Sequence, residues 1–344
     1  MFDDPIRLAV IGAGAVGGTV AGLLKLAGRD PVVVARHQAV ADRLASPGLH
    51  LSGKVQDPNV RLHAVRSLED LTGPLDLVFL ATKATDCAAA ARELPPRLHD
   101  DSLVVSLQNG MVETELAEIL GPRRVVACVV RLSAERLGPA EIEVTDVTEM
   151  VIGSLDGPDR EALETVRTVL DPAVPTRISD NIKGELFAKL IDNCCVNPTT
   201  AVTGWTVGRL LSEPRGRSSY LRIMAEAMGV AQAMGVRVEP GAGGRLDYAA
   251  FLADSSPEAE AFRHQVLEAT APAFIRTRPS MLQDLEHGRR TEIDYLNGYV
   301  VDRGREHGRP TPLNAALADM VREIGAGRRE MGPENLDDPA RPGF

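Results

Sequence analysis

The chain predicts an α/β fold in two parts, a parallel-sheet domain followed by a mainly α-helical one. Three observations carry that expectation. A glycine-rich turn joins an apolar run to a helix near the amino end, apolar runs then alternate with helical stretches up to residue 179, and helical periodicity dominates beyond it. At 344 residues and 44% hydrophobic content the chain can fill two ordinary cores.

The first element is the run Ile6-Arg7-Leu8-Ala9-Val10-Ile11, which meets Gly12-Ala13-Gly14-Ala15-Val16-Gly17. Gly12 permits a tight turn, Gly14 lets backbone approach a pyrophosphate, and Gly17 lets the next helix press on its strand, with N–H groups aimed at phosphates. Val16 to Ala27 has helical spacing and stops at Gly28. This strand, turn and helix predict a Rossmann-type dinucleotide-binding domain with Gly12, Ala13, Gly14, Ala15, Val16 and Gly17 against the cofactor. The second strand, Pro31 to Ala35, ends in Arg36-His37-Gln38 with no acid for ribose hydroxyls. Arg36 stands where a guanidinium pairs with a 2′-phosphate, which predicts NADP(H) rather than NAD.

Further strands are expected over Leu75 to Ala81, Ser102 to Leu107 and Val125 to Val130, with helices over Thr85 to Leu94 and Glu113 to Leu120. Glu141 to Thr145 and Glu149 to Ile152 read as an antiparallel edge finishing the sheet, before a helix over Arg160 to Leu170. Helices follow over Asp180 to Val196, Ser218 to Met234, Glu258 to Thr270 and Glu292 to His307. The expected division is therefore 1–179 for the NADP(H)-binding domain, 180–330 for a helical substrate domain, and 331–344 for a Pro- and Gly-rich tail.

Composition narrows the function. A net charge of -10 and a pI near 5.3, with no basic stripe, argue against nucleic acid as a partner. The opening residues run straight into the glycine turn and no apolar stretch is long enough to span a bilayer, so the expectation is a cytoplasmic protein with neither signal peptide nor membrane partner. Cys87, Cys128, Cys194 and Cys195 lack zinc spacing and read as reduced, mostly buried thiols, and no metal site is expected. A mainly helical second domain suits either a monomer or a homodimer.

Of 38 basic residues only five are lysines, Lys25, Lys54, Lys83, Lys183 and Lys189. Where a charge merely pairs or solubilises, this chain uses Arg, so a retained Lys is enriched for work such as giving up a proton. Lys83 and Asn109 each follow a strand, at the carboxyl edge where open α/β sheets bind ligands. A solvated turn lysine and an Asn-Gly turn are the plainer alternatives. Glu185, Lys189, Asn193 and Asn197 recur at every fourth position and draw one polar stripe along a helix, expected to end at Pro198. A solvent-facing edge with a Glu185 to Lys189 ion pair is the alternative there. Ser280 with Gln283 and Thr291 with Asp294 fit capping boxes, which leaves Glu292 open between a helix-start acid and a functional carboxylate.

Together these segments resemble the ketopantoate reductases, or 2-dehydropantoate 2-reductases, over nearly the whole chain. The residues that carry the resemblance are the Gly12 to Gly17 turn, Ala35-Arg36, Thr82-Lys83, Gln108-Asn109-Gly110, Lys189 with Asn193 and Asn197-Pro198, and Ser280-Met281-Leu282-Gln283-Asp284 with Thr291-Glu292-Ile293-Asp294. The resemblance implies NADPH-dependent reduction of 2-dehydropantoate to pantoate on the route to pantothenate and coenzyme A. It implies Lys189 as general acid, Lys83 and Asn109 lining the nicotinamide and substrate cleft, and Asn193, Asn197 and Ser280 on the substrate's carboxylate and hydroxyl. Glu292 would orient the lysine or the substrate. Thr277 stands where the family pattern has Asn, and the stretch from Gly241 to Phe274 is longer than usual. Those departures keep open a related reductase of another 2-oxo acid. A nonenzymatic NADP(H)-sensing regulator is a third reading, which Lys189 and Glu292 argue against.

Overall fold

The structure, a computed structural model, describes residues 5–337. It forms two compact units, one up to Ile182 and the other from Lys183 onward. The first contains β1 (Leu8–Ile11), α1 (Ala15–Leu26), β2 (Val32–Val34), α2 (Gln38–Ala45), β3 (Leu49–Gly53), β4 (Asp57–Val60), β5 (His63–Val65), β6 (Leu75–Leu80), α3 (Ala84–Glu93), β7 (Leu98–Ser106), α4 (Glu113–Leu120), β8 (Val125–Gly138), β9 (Glu141–Gly153), α5 (Arg160–Leu170) and β10 (Thr176–Ile178).

These strands form one sheet in the order β4-β3-β9-β8-β7-β6-β1-β2-β5, with β10 also on β9. From β8 through β5 the neighbours run parallel. β1, β6 from Leu77 on and the Leu103–Val105 part of β7 are apolar on both faces because both faces are covered. Leu8, Val10, Leu77, Phe79 and Val105 share a core with Val20, Ala21 and Leu24 of α1. Their neighbours Ala9, Val78, Leu80 and Val104 face the other way and are also fully buried. β2 and β6 flank β1 on opposite sides, so the strand order reverses there, which opens a crevice at the carboxyl edge.

The expected antiparallel pair is present but is not an edge. β9 is one continuous strand, antiparallel to β8, and the β3–β4 hairpin adds beyond it, with His50 opposite Glu141 and Gly53 opposite Val144. α1 lies close over this extension: a Cβ on Gly18 would come within 2.5 Å of Ile142, and one on Gly22 within 2.9 Å of Leu49. The hairpin is thereby tied to the helix of the glycine turn and curls the sheet over it.

The second unit is helical: α6 (Ile182–Thr203), which begins at the last residue of the first unit, then α7 (Val207–Ser212), α8 (Pro214–Ala233), α9 (Gly241–Gly244), α10 (Tyr248–Leu252), α11 (Pro257–Thr270), α12 (Ser280–Glu286), α13 (Asn297–Glu306) and α14 (Pro312–Gly325). Pro198 does not end α6. Proline lacks the N–H that would bond the carbonyl of Cys194, and Asn297 Nδ2 donates to that oxygen instead, at 3.2 Å. The other Asn297 hydrogen goes to Asn314 Oδ1 at 2.9 Å. Glu226 in turn accepts from the backbone N–H groups of Leu313 and Asn314 and from Asn314 Nδ2. A buried side-chain relay thus replaces one missing backbone donor.

The helix expected from Glu292 is broken into a 3-10 turn, Ile293–Tyr295, and α13, with the break at Leu296 (φ −106, ψ −98). Of the stretch expected as a tail, Pro333–Asp337 forms a 3-10 turn in which Asn335 and Leu336 are buried, and Asn335 Nδ2 donates to Val202 O at 2.8 Å. Residues 338–344 lie outside the described residues. No helix among the described residues is long and apolar enough to cross a membrane.

Candidate active site

In the first unit the predicted cofactor residues share one edge. Gly12 has φ +111, and a Cβ there would come within 2.9 Å of Ala81 O, so the turn after β1 packs on backbone of the loop after β6. A Cβ on Gly17 would come within 2.0 Å of the Gly12 carbonyl oxygen, whereas one on Gly14 would meet nothing within 4 Å. The turn is therefore closed on its inner side and open at Gly14. α1 starts at Ala15, with Gly14 as its N-cap, no side-chain capping bond and no acidic residue in its first turn. Such a helix end, carrying Ala13, Ala15 and Val16 around it, suits an anion.

Arg36 stands two residues beyond the end of β2 and is exposed, with Nη1 3.9 Å from Asp86 Oδ2 of α3. Lys83 is the N-cap residue of α3, and Asn109 lies in the loop between β7 and α4, where Gly110 takes φ +93. The plainer reading of the Asn-Gly pair as a backbone turn therefore also holds. Gln108 joins the two loops. Its Nε2 donates to Leu80 O (2.9 Å) and Thr82 O (3.1 Å), next to Lys83 in the chain.

In the second unit Glu185, Lys189, Asn193 and Asn197 fall on one face of α6. It is not a solvated edge: Glu185 is 4% and Asn197 7% exposed, and Lys189 and Asn193 are half-buried. The adjoining stripe of α6 is held by Tyr248, from the long 241–274 stretch. Its hydroxyl donates to Asp192 Oδ1 at 2.6 Å and lies 3.1 Å from Ala188 O. Burial and the Asp192 carboxylate push the Tyr248 hydroxyl far above the usual phenol range.

Ser280 is the first residue of α12 behind the N-cap Pro279, so it caps nothing, and its side chain is exposed. Asp294 takes Arg322, at 2.6 Å from Nη2, rather than a capping role. Glu292 opens the 3-10 turn, half-buried, and accepts Tyr295 N–H on its carbonyl at 3.0 Å. Five residues further, Asn297 anchors this segment to α6. All four cysteines are buried and free, and burial raises the thiols of Cys194 and Cys195 well above their ordinary range, so neither is a nucleophile.

Sequence reasoning passed over a buried group beneath the Asn109 loop. Ser106, Gln108 and Glu113 are 0%, 4% and 1% exposed, and Ser106 Oγ lies 2.9 Å from Gln108 Oε1 and 3.1 Å from Glu113 Oε1. Burial raises the Glu113 carboxyl from 4.5 to about 7, against the opposing pull of its own backbone N–H, the Ser106 hydroxyl and the Val112 N–H. Two polar residues around Asn109, inside an otherwise apolar strand end, were the available signal.

An open glycine turn at the strand-order reversal, with polar side chains along the same edge, defines a dinucleotide-binding α/β unit. Comparison with known proteins specifies it. Residues 8–157 match the model of the ketopantoate reductase PanE/ApbA family and residues 181–325 that of the ketopantoate reductase PanE/ApbA C terminal. A 2-dehydropantoate 2-reductase of Mesorhizobium japonicum is 27% identical over 345 residues, covering 94% of this chain and 99% of the relative. The crystal structure of a PanE/ApbA family ketopantoate reductase from Ralstonia eutropha JMP134 superposes with a TM-score of 0.78 at 31% identity, covering 94% of this chain and 99% of the other. D-mandelate dehydrogenase, solved with NADH and anilino(oxo)acetate, shares the fold at a TM-score of 0.80 and 21% identity, covering 94% of this chain and 99% of that one. The chain belongs to the ketopantoate reductase family and is an oxidoreductase of that family.

Proposed function

We propose that this protein reduces ketopantoate to pantoate with NADPH, in the synthesis of pantothenate. The observation that carries the reading is the polar face of α6, on which Lys189, Asn193 and Asn197 follow one another at one-turn intervals, withdrawn from solvent, in a family whose name describes that reaction. The glycine turn fits the dinucleotide pyrophosphate through the uncapped start of α1 and the open side of Gly14. Arg36 pairs with the 2′-phosphate, and Lys83 and Asn109 border the nicotinamide.

The nicotinamide, when bound, supplies hydride to the ketone carbon. As negative charge grows on the ketone oxygen, the Lys189 ammonium stabilises it and gives it a proton, which a guanidinium with its far higher pKa would not do. Asn193, Asn197 and Ser280 hold the carboxylate and hydroxyl of the substrate, and Glu292 orients the ammonium. A protein of this description resides in the cytoplasm.

A second reading, reduction of another branched 2-oxo acid, is favoured by the 241–274 stretch, which places Tyr248 against α6 beside the stripe, and by Thr277. NADPH oxidation with ketopantoate and a panel of branched 2-oxo acids decides between the two. Preference for ketopantoate is the expected result; activity on another acid alone moves the acceptor, and no turnover on any of them leaves a cofactor-sensing protein. Lys189→Ala is expected to lower turnover by roughly 10²- to 10⁴-fold with NADPH affinity nearly intact. Unchanged turnover removes Lys189 from the mechanism.

A further inference from the structure

The hydrogens around Ser106 can be counted. Both amide hydrogens of Gln108 are used on Leu80 O and Thr82 O, so its Oε1 faces Ser106 and can only accept. Ser106 Oγ is the donor nearest that oxygen, at 2.9 Å, and its single hydrogen satisfies it. Glu113 Oε1, 3.1 Å from the same hydroxyl, is then a second acceptor facing an already committed donor. Besides the backbone N–H groups of Val112 and Glu113, an ionised Glu113 competes with Gln108 for the Ser106 hydrogen. A neutral Glu113 donates to the Ser106 lone pair and completes the sequence Glu113, Ser106, Gln108, Thr82 carbonyl without conflict.

We propose that Glu113 is a positioning residue, acting as a buried hydrogen-bond donor that fixes, through Ser106 and Gln108, the two loops carrying Lys83 and Asn109. The role of those loops rests on the function proposed above; the hold on them does not. A carboxyl at the first residue of a helix ordinarily faces water and favours the helix as an anion. Here it is 1% exposed, Val112 at the N-cap contributes no side-chain bond, and Glu113 Oε2 has no hydrogen-bond partner. Burial disfavours an anion there more than the backbone N–H groups of Val112 and Glu113 favour one, and a neutral acid is accommodated.

α4 packs against α3, β8 and the 3-10 turn that follows it. The charged groups on these elements are Lys83, Asp86, Arg92 and Glu93 on α3 and its cap, Arg123 and Arg124 on the turn, and Arg131, Glu135 and Arg136 on β8, with Glu115 and Glu118 on α4 itself. On β7, His99, Asp100 and Asp101 stand at the opposite end from Ser106. None of them is among the groups that move the Glu113 proton, which are burial, two backbone N–H groups and Ser106. As pH rises through about 7 the carboxylate takes the Ser106 hydrogen, Gln108 Oε1 loses its donor, and the amide's grip on the Thr82 carbonyl weakens.

The test uses the full chain, Glu113→Gln and Glu113→Leu. In the first variant a side-chain amide replaces the acid as a donor at every pH, and the leucine variant keeps the packing without a donor. Hydrogen exchange, corrected for its intrinsic pH dependence, reads the bonded amides of Ala81 (to Ile11 O) and Leu107 (to Leu80 O) at the two loop roots. Their protection is expected to fall by about tenfold between about pH 6 and pH 8 in the wild type, to stay constant within about twofold in E113Q, and to be low throughout in E113L. Equal pH dependence in wild type and E113Q overturns the proposal whether or not the protein turns over.

Turnover supplies the second readout. At saturating NADPH, kcat/KM for the 2-oxo acid is expected to lose about tenfold over that interval in the wild type, with E113Q matching the wild type at low pH and lacking the fall. Any Lys189 ionisation is common to both proteins and cancels in the comparison. If the exchange pattern holds and both turnover profiles coincide, Glu113 holds the loops without serving the reaction and the positioning role is overturned. If the wild type reduces no 2-oxo acid while the exchange pattern holds, the function proposed above fails and the control of these loops by Glu113 stands.

Discussion

Replacing Glu113 by Gln should change how stability depends on pH, by an amount that follows from the burial of one carboxyl. In the unfolded chain Glu113 titrates near its ordinary 4.5, and in the fold near about 7. Below the first value both states carry the proton; between the two only the folded state does; above the second neither does. The folded state therefore binds more protons in that interval, and its stability falls as pH rises through it, by about 3 kcal/mol in all. Because the unfolded carboxyl is already partly ionised at about pH 5, some 2.5 kcal/mol of this falls between about pH 5 and pH 8. The acids whose carboxyls are held below their ordinary range act elsewhere. Asp146, held down chiefly by its hydrogen bond with Lys54, and Glu164, held down by Arg167, lose their contributions only as pH falls below the normal carboxylate range. E113Q carries no ionisable group at this site. Urea unfolding of both full-length proteins at a series of pH values should show the wild type losing about 2.5 kcal/mol relative to E113Q across the interval. Parallel stability curves would mean that Glu113 is ionised in the fold, and the donor count around Ser106 would be refuted with it.

Other substitutions separate fold from cofactor at the glycine turn. Gly17→Ala sets a methyl 2.0 Å from the Gly12 carbonyl oxygen and 2.8 Å from the Ala81 Cβ, so α1 must shift; a loss of about 1–3 kcal/mol in urea unfolding is expected, together with NADPH binding. Among the described residues, a methyl at Gly14→Ala meets nothing within 4 Å beyond its own chain neighbours, so the substitution should leave the unfolding midpoint nearly unchanged while reducing NADPH binding by fluorescence titration. Equal stability losses in the two variants would contradict the packing described for the turn. If Arg36 clamps the 2′-phosphate as proposed, Arg36→Ala should weaken NADPH by roughly 10- to 100-fold and NADH by far less. Equal losses for the two cofactors would remove Arg36 as the phosphate clamp, and its neighbour Asp86 at 3.9 Å would then be the group to examine for ribose contacts.

The parts of the fold legible in the sequence are those whose cause is local. A strand buried on both faces is apolar residue after residue, as Leu77-Val78-Phe79-Leu80 is, and the glycine turn is dictated by contacts among Gly12, Gly17 and Ala81. The β3–β4 hairpin was not legible. Asp57-Pro58-Asn59 has poor strand propensity, and the partner that makes β3 a strand is β9, with His50 opposite Glu141 far along the chain. Glu113 was hidden for a different reason. At the head of Glu113-Thr114-Glu115 it looks like one of several acids favouring a helix start, and only the arrangement of Ser106 and Gln108 beneath it distinguishes it from exposed Thr114 and half-buried Glu115.

The polar stripe keeps its helical register for a reason that the sequence around Pro198 does not show. The spacing of Lys189, Asn193 and Asn197 predicts a helix, and Pro198 suggests that the helix stops there, leaving the Asn197 amide to point into a pocket. In the fold α6 continues to Thr203 because Asn297, supported by Asn314 and Glu226, supplies the hydrogen bond that proline lacks. Asn197 therefore stays in helical register with Lys189, eight residues or about 12 Å along the axis, and buried. A helix ending at Pro198 would free the Asn197 backbone and leave its amide to find its own position. The relay through Asn297 thus fixes the distance between Lys189 and the far amide of the stripe, and it begins five residues after Glu292. The segment that carries Glu292 is the same segment that keeps α6, the helix of Lys189, intact past Pro198.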